Sequence, residues 1–138
     1  MSNLSRFPIV AFMLLALFVP SSAAASKLSK EELCEAVQLR KSLSIVYKND
    51  DPSDCGTRIV EPYLVGVGHN RKTYVYGYQI SGCSSSGGIP DYRTFRTDRI
   101  RNSTIADIAF SAGADSRKAK GWDGCLKGNC FIARFECE

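Results

Sequence analysis

The 138-residue sequence predicts a small, mainly β domain with one N-terminal helix, its strands forming a curled antiparallel sheet or a partly open barrel stapled by disulfides. Three observations predict it. Apolar residues follow helical spacing up to about Ser42, and from Leu43 the period is two, in short runs separated by Gly, Pro, Asn and Asp. All six cysteines, at 34, 55, 83, 125, 130 and 137, fall after residue 25. An even number of them in a small exported domain reads as a disulfide framework.

Export is read from the N-terminus. Arg6 supplies a positive start, Ile9 to Val19 an apolar run broken by Pro20, and Ser21 to Ala25 a series of small residues. This is the make-up of a secretory signal peptide over residues 1–25, with Ala23-Ala24-Ala25 before Ser26 as the best cleavage match. The apolar run is too short to span about 30 Å of hydrocarbon as an anchor. With no cysteine at the cleavage point, a lipoprotein is not expected, and no later segment is apolar enough to cross a membrane. A secreted or periplasmic domain is therefore expected. The whole chain carries a net charge of +4, and without Arg6 there are 17 basic residues against 14 acidic ones. Such a mild bias is not the charge density of a dedicated DNA binder.

The elements follow in order. Residues 26–42 read as one helix, in which Ser29 and Glu32 make a capping box and Leu28 staples onto Leu33. Its inner face is Leu33, Ala36 and Val37, with Cys34 one step round. Leu43, Ile45 and Tyr47 alternate with Ser42, Ser44 and Val46 in a first strand. Lys48 to Gly56 is a polar connection. Thr57 to Val67 forms a second strand or bent pair, with Pro62 marking an edge or bend. After the turn Gly68–Lys72, Tyr74, Tyr76, Tyr78 and Ile80 share one face of a third strand against Val75, Gly77 and Gln79. Ser81 to Pro90 is a loop rich in Gly and Ser. Asp91 to Ile100 is a fourth strand and Asn102 to Ile108 a fifth, with Ile105 and Ile108 its buried positions. Beyond Phe110 the chain is small and polar to Gly128, and Phe131, Ala133 and Phe135 form a last short strand ending at Cys137.

Sequence alone leaves the disulfide connectivity open. In an up-and-down order, the loops holding Cys55 and Cys83 emerge at the same end, which favours Cys55–Cys83. The other four then tie the tail to the helix or to itself, Cys125–Cys130 being one such pairing. Zinc is the weaker reading: only Cys125 and Cys130 are close, and no His lies nearby.

Chemistry concentrates in Asp91–Ile100, which packs Arg93, Arg96 and Arg99 with Tyr92 and Phe95. Alternation puts Arg93 and Phe95 on one face, and Tyr92, Thr94 and Arg96 on the other. Guanidinium groups beside aromatic rings can hold an anion and stack a planar ring. Arg58 in a neighbouring strand adds a fourth cation, and Tyr47 and Tyr78 supply stacking faces. The competing reading is internal: Arg99 pairs with Asp98 or Glu61, and the rings fill the barrel. Arg117, Lys118 and Lys120 beside Trp122 can touch an anionic polymer, but a solvated loop with Trp122 tucked on the domain is the better reading. No catalytic set stands out. His69 alone in a turn makes no acid–base pair, Ser84, Ser85 and Ser86 have no evident His/Asp partner, and no cofactor is expected.

Arg58-Ile59-Val60-Glu61-Pro62-Tyr63-Leu64, Thr73-Tyr74-Val75-Tyr76-Gly77-Tyr78 and Arg93-Thr94-Phe95-Arg96-Thr97-Asp98-Arg99-Ile100 together resemble the WYL-domain family, over about Leu43 to Ile105. Thr73 stands where the family has Trp. The resemblance implies an Sm-like or SH3-like small barrel that senses nucleic acid or a nucleotide-like ligand. Here it would be a stand-alone exported domain over residues 43–108, with residues 109–138 packed on it as a cysteine-containing tail. The expectation is a non-enzymatic exported module for an anionic ligand: a nucleotide, an oligonucleotide, or a phosphorylated or carboxylated small molecule. Arg58, Arg93, Arg96, Arg99, Tyr47 and Tyr78 would hold it, provided that the arginines converge on one water-accessible hollow. The alternatives are a periplasmic or extracellular structural or protein-interaction domain and, more weakly, a small secreted nuclease or hydrolase.

Overall fold

A computed structural model of the protein describes residues 26–49, 56–85 and 87–137. The leader read at residues 1–25, and Cys55 with its favoured pairing, lie outside the described residues; Cys83 is disulfide-bonded. Among the described residues no helix is long and apolar enough to cross a membrane.

The first helix, α1 (Lys30–Gln38), starts as its sequence dictates. The Glu32 N–H donates to Ser29 Oγ at 3.2 Å and the Ser29 N–H to Glu32 Oε2 at 2.7 Å, so two otherwise orphaned donors are satisfied. Leu33, Ala36 and Val37 are its buried face. The helix stops four residues short of the expected Ser42: Arg40 takes a left-handed conformation (φ 56°), turning the chain into β1 (Lys41–Tyr47).

β1 is followed by β2 (Thr57–Val67), β3 (Thr73–Ser81) and β4 (Asp91–Arg96), each antiparallel to the strand before it. The expected fourth strand ends early, because Thr97–Arg99 form a 3-10 turn. That turn carries the chain to the far side of β1, where β5 (Ile100–Ala109) pairs. The order is β4-β3-β2-β1-β5, an antiparallel sheet that is not a plain up-and-down array. β4 and β5 are its two ends and share no ladder among the described residues, so the sheet is open and not a closed barrel. In β5, Ile105 packs against the core as expected, whereas Ile108 is 48% exposed.

The long strand β2 is continuous, and the bend expected at Pro62 takes the form of a register shift against β3 between Pro62 and Leu64. The first half of β2 pairs with β1 (Leu43 opposite Val60) and its second half with β6 (Arg134–Cys137; Gly66 opposite Phe135). Beside Pro62, β3 approaches so closely that a Cβ on Gly77 would lie 2.2 Å from the Glu61 carbonyl oxygen, which explains why a glycine interrupts the tyrosine-rich strand.

The sheet buries both faces. Under α1, Leu33 and Val37 pack with Leu43, Val60, Val65, Val75 and Phe95. Tyr63, Leu64, Tyr74 and Tyr76 pack on the opposite face with Cys125, Cys130 and Ile132. Covering that second face is a helix the sequence did not suggest, α2 (Ala114–Gly124), where a polar loop was expected. With Gly121 and Gly124 in it and no side-chain cap, α2 is a poor helix by propensity and is held by its tertiary contacts. Trp122, as expected, lies against the domain, its ring 4.7 Å from that of Phe135. The Cys34–Cys137 disulfide ties α1 to β6, and Cys125–Cys130 ties the tail to itself.

Candidate ligand-binding groove

The arginines read from the sequence do not gather in one hollow. Arg58 is 4% exposed on the α1 side of the sheet. Its guanidinium lies 5.3 Å from the Tyr47 ring centroid and 5.9 Å from that of Phe95, and donates to Asn49 Oδ1. The Tyr47 hydroxyl accepts the Arg96 backbone N–H at 3.1 Å. The Arg96 side chain grips Asp98 with two hydrogen bonds, of 3.0 and 2.8 Å, the first cause of the fall in the Asp98 pKa to about 2. Arg99 sits in the 3-10 turn, its carbonyl accepting the Lys48 N–H at 2.9 Å. Arg93 pairs with Asp91 at 2.7 Å and also donates to Ser84 Oγ and the Tyr92 and Gly88 carbonyls, pinning the Gly/Ser loop to β4. The separation follows from strand alternation and from acids two residues away: Asp91 beside Arg93, and Asp98 beside Arg96.

Arg93 and Tyr78 do border an opening, on the face away from α1. Between β4 and α2 lies a groove of about 460 Å³ lined by Tyr76, Asp91, Tyr92, Arg93, Thr94, Lys120, Gly124 and Phe131. A hollow of about 260 Å³ adjoins it, sharing Asp91, Tyr92 and Lys120 and adding Tyr78, Ser116 and Arg117. Tyr76 and Tyr92 are stacked along the wall, with centroids 6.0 Å apart and planes 13° apart, and Tyr78 meets Tyr92 edge-on at 5.1 Å. Burial, with Tyr92 next, pushes the Tyr76 phenol up to about 12, so both rings are neutral at ordinary pH; Tyr76 is itself buried and backs the half-buried ring of Tyr92. The Asp91 carboxyl is held below its usual range chiefly by the Arg93 hydrogen bond, which spends its charge locally. Lys120 is different. It is exposed, and its ammonium makes no hydrogen bond or ion pair among the described residues, although the Asp91 carboxylate in the same groove feels its charge. The half-buried Tyr92 ring beside the Lys120 ammonium can seat a planar ring and neutralise an anion attached to it.

The position of Lys120 depends on how α2 is fastened. Glu61 is fully buried, and its carboxylate accepts from Tyr63 Oη at 2.7 Å, the Ser111 N–H at 2.7 Å, Ser111 Oγ, and Arg117 Nη2 at 2.8 Å. Burial works to raise the Glu61 pKa, but the hydrogen bonds from Ser111, Tyr63 and Arg117 outweigh it, and the carboxyl is ionised. The guanidinium of Arg117 also lies 4.8 Å from the Tyr78 ring centroid. Arg117 is thus a structural anchor on a helix and not part of a solvated loop, as its sequence neighbourhood had suggested. Tyr92 and Phe131 are not legible as groove residues in the sequence, since nothing in one dimension places residue 131 opposite residue 92. The one legible signal was the spacing of Arg117 and Lys120, three apart, once residues 114–124 are known to be helical.

A family model described as WYL domain matches residues 30–105, more than half of the chain. The chain belongs to the WYL-domain family. WYL domains are in general ligand-binding, regulatory modules rather than catalysts. No curated protein matches the chain. The WYL match begins at Lys30, so it takes in α1 as well as the strands from which the resemblance was drawn. It stops within β5, and the groove therefore has a composite origin: Tyr76, Asp91, Tyr92, Arg93 and Thr94 belong to the WYL segment, and Lys120, Gly124 and Phe131 to the residues after it.

Proposed function

We propose that this WYL protein is an exported, non-enzymatic binding module for an anionic ligand that carries a planar ring, a nucleotide being the first choice, held in the groove between β4 and α2. One observation carries the reading: the exposed Lys120, whose ammonium makes no hydrogen bond or ion pair among the described residues, beside the Tyr92 ring stacked on Tyr76. Export is supported by the leader-like residues 1–25 and by the Cys34–Cys137 and Cys125–Cys130 disulfides, which persist in oxidising compartments. Of the residues singled out by sequence, Arg93 and Tyr78 border this site, Arg93 by shaping its rim and Tyr78 by backing Tyr92.

The test is calorimetric titration of the oxidised protein with AMP, and with adenosine as the uncharged control. AMP binds more tightly than adenosine, the difference shrinks as salt rises, and Lys120→Gln weakens AMP by about fivefold, the scale of one charge-assisted contact at a surface. The reading is overturned if AMP fails to bind, if AMP and adenosine bind alike, or if Lys120→Gln leaves AMP affinity unchanged. A protein-interaction role is the second reading, favoured by Phe131 and Leu126, which are 72% and 61% exposed. In that case binding of the partner is insensitive to salt and is lost in Phe131→Ser.

A further inference from the structure

We infer that Glu61, which lines neither hollow, is a positioning residue for the groove: by holding Arg117 it fixes where α2 presents Lys120. The inference rests on the groove reading above and deepens it by assigning the site's geometry to contacts between the WYL segment and the residues that follow it.

Beside the Arg40–Asp115 ion pair and the Trp122–Phe135 contact, three contacts place the groove side of α2 on the sheet. The first is the Glu61 carboxylate, which gathers donors from β2 (Tyr63), from the residues leading into α2 (Ser111) and from α2 itself (Arg117). The second is Tyr92, whose hydroxyl donates to the Arg117 carbonyl at 2.8 Å, so the wall residue that stacks on Tyr76 is also bonded to the helix opposite. The third is Gly121, where a Cβ would lie 3.0 Å from Tyr92 Cε1 and 3.1 Å from Tyr76 Cε1; glycine lets the helix backbone settle directly against both rings. α2 has eleven residues, two of them glycine, and no side-chain N-cap, so it has little rigidity of its own. Lys120 follows Arg117 by three residues and so projects from nearly the same side of the helix. An anchor at Arg117 therefore governs both the height and the rotation of Lys120 over the groove. Arg117 Nη1 also donates to the Ala112 carbonyl at 2.8 Å, closing the lead-in of the helix onto the same guanidinium.

A double-mutant cycle on AMP affinity tests this. Glu61→Gln keeps the shape of the side chain and removes its charge. It weakens AMP by about the same fivefold as Lys120→Gln, and the two together are no weaker than Lys120→Gln alone, because Glu61 acts through Lys120. Tyr92→Phe keeps the stacking ring and removes only the hydroxyl that meets α2. It shows the same non-additivity with Lys120→Gln, and it carries the test should Glu61→Gln not fold. Losses that multiply in both double mutants, or full affinity in a folded Glu61→Gln and in Tyr92→Phe, overturn the positioning role while leaving the groove intact. Unchanged affinity in Lys120→Gln alone removes the groove reading and this inference with it.

Discussion

Replacing Arg117 by methionine removes the guanidinium from a carboxylate that has no access to water. Glu61 is 0% exposed, and Arg117 meets it at 2.8 and 3.1 Å while covering the Tyr78 ring. Methionine retains much of the packing volume over Tyr78, so the loss is mainly electrostatic. The bonds from Tyr63 and Ser111 survive, but a buried anion without its counter-charge costs about 3–5 kcal/mol. For a domain of this size, that lowers Tm by some 10–20 °C, read by circular dichroism on the oxidised protein at pH 7. The pH dependence identifies the cause. In the native protein the folded Glu61 pKa lies below its ordinary 4.5, so its contribution is full above that value and is lost on acidification. In Arg117→Met the counter-charge is gone, and the loss of about 3–5 kcal/mol appears as a rise of the folded pKa above the unfolded one. The deficit is then largest near neutrality and shrinks as the pH falls towards about 4.5. A loss below about 1 kcal/mol, or a deficit that is the same at pH 7 and pH 4.5, would refute the buried ion pair as the fastening of α2.

Two further outcomes are expected. Removing the Cys34–Cys137 bridge with paired serines frees a sequence separation of 103 residues, against 5 for Cys125–Cys130. Chain entropy then makes the first loss larger by roughly 2–3 kcal/mol in guanidinium unfolding, and equal losses would contradict that account. Asp98, whose pKa is lowered to about 2 chiefly by Arg96, contributes stability that is complete above its ordinary 3.8 and fades as the pH falls through 2. The pair is exposed, so the effect is small and screened by salt: Arg96→Ala leaves Tm at pH 7 nearly unchanged, and a large drop would place Arg96 in a load the structure does not give it.

Signals in the chain are legible where the physics is local. The Ser29/Glu32 capping box, the inner face of α1, the irregularity at Pro62 and the tyrosine face of β3 each depend on neighbours within a few residues. The run Arg93–Ile100 carried the family resemblance for the same reason. The errors arose where distant segments decide. A strand pattern continuing through Thr97–Arg99 hid the 3-10 turn that sends β5 across to β1. Residues 114–124 gave no helical signal, because α2 exists through Glu61, Tyr92 and the tyrosine rings and not through its own propensity.

By itself, then, the sequence determined the fold class and the concentration of arginine beside aromatics. It could not assign the charges. Whether a guanidinium meets a ligand or a carboxylate depends on which acids lie within about 4 Å in space, and a short-range interaction is invisible in a one-dimensional string. Arg93 with Asp91 and Arg96 with Asp98 are pairs between near neighbours in the chain, whereas tertiary structure alone drew Arg117 to the buried Glu61 and set Lys120 over the groove, its ammonium without a hydrogen bond or ion pair among the described residues.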